Sequence, residues 1–161
     1  MISNTSVVRR GEEPSEADRL LIASFLGRKP QGRFTISVRN HDGLPMVIRN
    51  YPVLDTGRPM PTLYWLVDSE LRNRIGSLES NGGVRQAERE CNSVSLVEAH
   101  QRYAAERDAE LPKDYTGHRP SGGVGGTRRG VKCLHAHYAW FLVGGDDPVG
   151  RWVHVQLVED N

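Results

Sequence analysis

Three side chains that can bind a metal ion or take part in nucleophilic chemistry lie within five residues of this chain. They are Cys133, His135 and His137, and they directly follow a basic, glycine-rich loop. The apolar continuation Tyr-Ala-Trp-Phe-Leu contains no β-branched residue, so we predict a helix over residues 130–143. The chemistry open to the segment then depends on which of the three side chains share a face.

Metal binding is the first function that this spacing predicts. In a helix Cys133 and His137 stand at i and i+4 on one face, while His135 points about 200° away. In an extended segment all three would share a face and could bind zinc together. A structural zinc site needs four ligands, and the remaining candidates in the chain are His118, Asp68, Cys91 and His100.

Nucleophilic catalysis is the second function, with Cys133 and His135 as its candidate residues. The predicted helix places Cys133 in its first turn, close to Lys132 and Arg129, where positive potential lowers the pKa of a thiol. His135 is then near enough to act as the base. The residues do not decide between an enzyme and a binding protein.

Binding of an anion or another small ligand is the third function. A glycine-rich loop that leads into a helix presents free N–H groups to an anion. The candidate ligand-binding residues are Gly125, Gly126, Arg129, Lys132 and Tyr64, with residues 59–65 as a further wall of the pocket. The loop is not a Walker motif, because neither Ser nor Thr follows Lys132. Against all three functions stands a purely structural role, since cysteine is among the most buried residue types.

The helices and strands that position these residues can also be predicted. They indicate a single α+β domain over residues 12–161, preceded by a flexible arm over residues 1–11. Its sheet is small and mostly antiparallel, with about four strands covered by three to four helices. The predicted strands are residues 34–39, 44–50, 62–67 and 149–158. The other predicted helices are residues 15–26, 69–80 and 93–110, the last starting at a capping box of Ser95 and Glu98.

Composition limits the kinds of partner and the cellular compartment that we expect for this chain. The 161 residues carry a net charge of +1, which argues against nucleic acid as a partner. Only two cysteines are present, no signal peptide is apparent, and the longest apolar run is far shorter than the roughly 20 residues of a membrane span. We therefore expect a cytoplasmic protein.

Three short segments carry a resemblance to a known family. Residues 61–66 (PTLYWL), 78–82 (LESNG) and 132–135 (KCLH) resemble the bacterial domain-of-unknown-function family 501, which is most familiar from actinobacteria. The resemblance extends from about residue 33 to 150. It implies a small soluble protein without an assigned activity, often encoded near a septum-formation initiator protein, enolase and an exopolyphosphatase. In some members an apolar residue takes the position of His137.

Two functions from different classes therefore remain open. The first is a cytosolic protein with an anion, small-ligand or metal pocket at the glycine-rich loop and the Lys-Cys-Leu-His segment, with zinc as the cofactor in the metal case. The second is a non-enzymatic adaptor that acts through protein contacts in cell division or envelope growth. For the adaptor, the resemblance implies a protein partner linked to cell division or to polyphosphate metabolism.

Overall fold

The computed structural model describes residues 11–160, which form an α+β structure, as predicted. Its helices are α1 (Glu16–Leu26), α2 (Ser69–Ser80), α3 (Gly83–Glu90), α4 (Ser93–Asp108), α5 (Leu134–Leu142) and α6 (Pro148–Glu159). Its strands are β1 (Phe34–Arg39), β2 (Pro45–Asn50) and β3 (Tyr64–Leu66). Within the described residues there are thus three strands rather than about four, and six α-helices rather than three to four. Apart from Gly11, the predicted arm over residues 1–11 lies outside this range.

The strands form one antiparallel sheet in the order β1-β2-β3. The predicted hairpin is confirmed, with Ile36 opposite Ile48 in its register. Val47 of β2 lies opposite Leu66 of β3, which is shorter than the predicted strand over residues 62–67. The sheet therefore places the β3 segment at its edge, where the chain turns towards α2.

Helix α1 confirms the helix predicted over residues 15–26. Ser15 accepts a hydrogen bond from the backbone N–H of Asp18, and the Asp18 side chain accepts one from the Ser15 N–H. Helix α2 likewise starts after Asp68, whose carboxylate accepts from the N–H of Leu71. Both boundaries are local properties of the chain, which explains why the residues alone predict them.

The predicted fourth strand over residues 149–158 is wrong, because this segment forms α6. Asp147 caps the helix by accepting from the N–H of Val149, and Pro148 occupies a favourable position in the first turn. Val149, Val153 and Leu157 then recur every four residues and are all buried. The valine spacing fits both an alternating and a helical period, and packing against α5 selects the helical one.

Three other boundaries differ from the predictions. Helix α3 was not predicted, and it begins directly after Gly82, a left-handed residue with φ of 86°. The cap of α4 is Asn92, which accepts from the N–H of Ser95, so the predicted capping box of Ser95 and Glu98 is wrong. Helix α5 begins at Leu134, four residues later than predicted.

Helix α5 lies at the centre of the main core. Six of its nine residues are buried, and it contacts β3, α2 and α6. Beside this core, the guanidinium of Arg107 is almost fully buried and donates hydrogen bonds to the carbonyl oxygens of Pro61 and Gly122. Arg107 thus joins the segment before β3 to the glycine-rich loop. None of the described helices combines the length and the apolar character that crossing a membrane requires.

Candidate functional site

Cys133 lies at the junction between the glycine-rich loop and α5. It is the N-cap residue of the helix, with an extended backbone (φ −146°, ψ 118°) and a half-buried side chain. Gly125 packs against it, since a Cβ atom on this glycine would lie 3.8 Å from the Cβ of Cys133. Gly125 also has a positive φ of 69°, which favours glycine at this position.

The loop is held in place by His100 of α4. Its Nδ1 accepts a hydrogen bond from the N–H of Val124 at 3.0 Å, so its Nε2 carries the proton and donates to the carbonyl of Gly130 at 2.8 Å. Gly123 approaches α4 so closely that a Cβ atom there would lie 2.5 Å from the Cβ of His100. The glycine therefore permits contact between loop and helix, and His100 fixes the loop on both sides of its turn.

His135 has hydrogen-bond acceptors on both of its ring nitrogens. Nδ1 lies 2.6 Å from a carboxylate oxygen of Glu79, and Nε2 lies 3.0 Å from the backbone carbonyl oxygen of Arg72. The sulfur atom of Cys133 lies 4.0 Å from the same Nδ1. Burial on its own lowers the pKa of His135, but contacts with Cys133, the Arg72 carbonyl and Glu79 outweigh it and raise the pKa above its usual value.

Glu79 was not predicted as a site residue, although it belongs to the segment 78–82 that carries the family resemblance. It lies near the end of α2, and its second carboxylate oxygen accepts from the N–H of Leu134 at 3.3 Å. The carboxylate thus takes the place at the start of α5 where the sequence predicted a bound anion. Its proximity to His135 depends on packing of α2 against α5, for which the chain offers no local signal.

A cavity of about 420 Å³ borders this cluster. Cys133 and His135 line it from α5, together with the predicted ligand-binding residues Gly125 and Tyr64. Its other lining residues come from the end of α1, from β3 and its approach, and from α2 and α5: Leu26, Arg28, Thr62, Trp65, Leu66, Arg72 and Ala136. The cavity therefore includes part of the predicted wall over residues 59–65. The hydroxyl of Tyr64 donates to Glu106 at 2.7 Å.

Several predicted site residues lie elsewhere. His137 is fully buried, and its Nδ1 lies 2.6 Å from Asp147 instead of joining Cys133 and His135. Gly126, Arg129 and Lys132 are exposed and do not line the cavity. The four residues considered as further metal ligands are also outside the cluster. Asp68 caps α2, His100 binds the loop, Cys91 contacts the carbonyl of Pro148, and His118 is exposed.

The geometry distinguishes between nucleophilic catalysis and metal binding, the two functions predicted for Cys133 and His135. In a catalytic triad the carboxylate and the nucleophile contact opposite nitrogens of the histidine. Here Glu79 and Cys133 both face Nδ1, while Nε2 is directed at a backbone carbonyl. The arrangement matches a metal centre better, because metal-binding histidines commonly donate their other N–H to a carbonyl or carboxylate.

An α+β protein with a carboxylate–thiol–imidazole cluster beside a cavity is thus the class that fold and site define. The chain belongs to the family described as "Protein of unknown function (DUF501)", whose model matches residues 36–155. This confirms the family resemblance and covers Glu79, Cys133 and His135. No curated protein and no solved structure matches the chain.

Proposed function

We propose that Glu79, Cys133 and His135 bind one zinc ion, which holds a small ligand in the adjoining cavity. The observation that carries this proposal is the convergence of three donor atoms, one from each residue, all within 4.8 Å of one another. The donors come from two helices that are far apart in the chain. Thiolate, imidazole and carboxylate are the ligands that zinc uses most often.

The distances between the donors require only small shifts to accept the ion. Zinc–ligand bonds of about 2.0–2.3 Å in tetrahedral geometry separate the donors by about 3.3–3.6 Å. The 2.6 Å contact between Nδ1 of His135 and Glu79 would lengthen, and the 4.0 Å contact between Nδ1 and the sulfur of Cys133 would shorten. Both changes are smaller than about 1 Å.

Three protein ligands leave a fourth position on the ion. Zinc sites with three protein ligands commonly keep that position for water or substrate, whereas structural sites use four. Since Cys133 and His135 also line the cavity, a molecule in the cavity can reach the ion. This supports a ligand-binding function over a purely structural one.

The adaptor function has less support. A buried Cys133 together with an exposed apolar patch would favour an adaptor, but Cys133 is half-buried. Within residues 11–160 the exposed large apolar side chains come from α1, the hairpin turn, α4 and α6: Leu20, Leu44, Val94, Val155 and Val158. Scattered exposed apolar residues are normal for a protein surface.

The test is metal binding by the full chain and by matched variants. We expect one zinc ion per chain in elemental analysis after zinc loading and removal of free metal. With cobalt(II) we expect a tetrahedral visible spectrum and a thiolate charge-transfer band. Glu79→Gln, Cys133→Ser and His135→Ala should each weaken zinc binding, and Cys133→Ser should also remove the charge-transfer band.

Cys91→Ser is the matched control, because Cys91 is the other free cysteine and is also half-buried. This variant should keep both the stoichiometry and the spectrum. Equal zinc affinity in wild type and Cys133→Ser, with both proteins folded, would refute the proposal. The proposal would also be refuted if Cys91→Ser lost the charge-transfer band while Cys133→Ser kept it.

A further inference from the structure

We infer that the cavity beside the Glu79–Cys133–His135 cluster binds a small oxyanion that carries an apolar group. In this inference Arg28 and Arg72 pair with the oxyanion and the zinc ion coordinates one of its oxygens. The inference rests on the proposed function, since the zinc ion supplies one of the contacts. It adds the chemical class of the ligand, which the metal site alone does not define.

The charges on the cavity wall favour an anion. Arg28 and Arg72 both line it, and none of the described residues that line it is acidic. Arg72 is half-buried, and its Nη1 donates to the carbonyl of Phe25 at 2.6 Å, which positions the guanidinium. Arg28 is exposed, and no residue in 11–160 occupies its donors through a hydrogen bond or an ion pair. Arginine guanidinium groups bind carboxylates and phosphates through paired N–H donors.

The zinc centre adds a coordination position for an oxyanion and carries no net charge that would repel one. A thiolate and a carboxylate together balance the two positive charges of the ion, so the liganded centre is neutral. The two arginines therefore set the charge of the cavity, and an oxyanion satisfies them and the open position of the ion together. An uncharged molecule would leave the guanidinium groups without a counter-ion.

The rest of the wall indicates an apolar part of the ligand. Leu26, Trp65, Leu66 and Ala136 contribute apolar surface from three different elements. A volume of about 420 Å³ lies within the usual range for small-molecule sites, about 300–1,000 Å³. An inorganic ion would leave this apolar surface in contact with water, whereas an aryl or alkyl group would bury it.

The wall also favours binding over hydrolysis. A zinc-bound water that attacks a substrate commonly passes its proton to a nearby carboxylate or imidazole. The described lining residues provide no carboxylate, and both ring nitrogens of His135 already have partners. We therefore expect bound oxyanions to leave the site chemically unchanged.

The experiment measures ligand binding to the zinc-loaded full chain by calorimetry, and to the cobalt-loaded chain by its visible spectrum. The probes are phenyl phosphate and benzoate as the two sources of an oxyanion, inorganic phosphate without an apolar group, and uncharged benzamide. We expect at least one aryl oxyanion to bind tighter than inorganic phosphate and to shift the cobalt spectrum, and benzamide not to bind. Comparing phenyl phosphate with benzoate identifies which oxyanion the site prefers.

Arg28→Gln should weaken binding of the aryl oxyanion by roughly ten- to hundredfold, as loss of a charge-assisted hydrogen bond predicts. Its matched control is Arg58→Gln, an exposed arginine outside the cavity, which should bind like wild type. Trp65→Ala should weaken the aryl oxyanions more than inorganic phosphate.

The outcomes distinguish this inference from the proposed function. A chain that takes up one zinc ion but binds none of the oxyanions overturns the inference and leaves the zinc site intact. Equal binding by Arg28→Gln and wild type, or equal binding of benzamide and benzoate, also overturns it. A chain that takes up no zinc in elemental analysis overturns both.

Discussion

The backbone carbonyl oxygen of Arg72 lies 3.0 Å from Nε2 of His135, and this contact selects the nitrogen that is left for a metal ion. A carbonyl only accepts hydrogen bonds, so Nε2 must carry a proton. The lone pair of a neutral His135 is then on Nδ1, the atom that faces both Glu79 and Cys133. Because the donor set depends on a main-chain atom, side-chain replacement at Arg72 leaves this tautomer in place.

Zinc affinity should increase with pH between about pH 6 and pH 8. Zinc binds the deprotonated thiol of Cys133 and the neutral ring of His135, so binding releases about one to two protons per ion. The measurement is a zinc titration against a chromophoric chelator at several pH values. Calorimetry in buffers of different ionisation enthalpy counts the protons directly. Affinity that does not change with pH would contradict ligation by these two residues.

Replacement of Asp147 by alanine should strongly destabilise the fold. Asp147 and His137 are both fully buried and lie 2.6 Å apart, and the other carboxylate oxygen of Asp147 caps α6. The variant leaves His137 buried without its partner and removes the cap. We expect a loss of about 3 kcal/mol in the free energy of unfolding, measured by denaturant titration.

Asp146→Ala is the matched control for this prediction. Asp146 precedes Asp147 in the same turn, but its side chain is 70% exposed and its ion pairs with Arg102 and Arg151 lie at the surface. Its replacement should change the free energy of unfolding by less than about 1 kcal/mol. Similar losses in the two variants would mean that burial of the His137–Asp147 pair is not what stabilises this turn.

The hydroxyl of Tyr103 should contribute substantially to the free energy of unfolding. It accepts hydrogen bonds from the N–H groups of Leu63 and Tyr64, at 2.7 and 3.2 Å, in the main core. Tyr103→Phe leaves these donors without the hydroxyl, so we expect a loss of about 2–3 kcal/mol in chemical unfolding. Tyr51→Phe, with a half-buried ring over which the Arg33 guanidinium lies, should have little effect. Equal losses would contradict the assignment.

Stability should decrease as the pH falls below about 6.5, and His100 should account for part of the decrease. Burial, opposed by the hydrogen bond to Gly130, lowers the pKa of His100 from its usual 6.5. The unfolded chain therefore binds more protons than the folded chain below that pH. The stabilisation is complete above the unfolded pKa and is lost as the pH falls through the lower folded value.

The check is the free energy of unfolding of wild type and His100→Gln at several pH values from about 7.5 to 5. The variant should show a smaller decrease over this interval. His41→Gln is the control, since the side chain of His41 is 87% exposed, and it should keep the wild-type pH dependence. A pH dependence that is unchanged in His100→Gln would refute the role assigned to His100.

The parts of the fold that could be predicted are those with local physical causes. Ser15 and Asp68 cap their helices through neighbouring backbone groups, and the alternating residues of the hairpin define its two faces. The failure at α6 has the opposite cause. Valine favours strands, and Val149 and Val153 are buried together only because α6 packs on other helices, mainly α5.

The same difference between local and long-range causes explains which residues of the candidate site could be predicted. Cys133 and His135 were predicted because both have reactive side chains and lie near each other in the chain. Glu79 stands 56 residues before His135 and reaches it only after α2 packs on α5. His137 shows the converse error, because its spacing from Cys133 suits a shared ligand while its actual partner, Asp147, arrives through the turn before α6. Spacing indicates which side chains can meet, and packing determines which of them do.

The two hydrogen bonds from Arg107 to the carbonyls of Pro61 and Gly122 tie together segments that are 61 residues apart in the chain. One guanidinium therefore supports both the approach to β3 and the loop that packs on Cys133. Neither segment can detach without exposing the same buried charge. In native-state hydrogen exchange the two should behave as one cooperative unit that opens with a single free energy, so that the cavity is either fully assembled or absent.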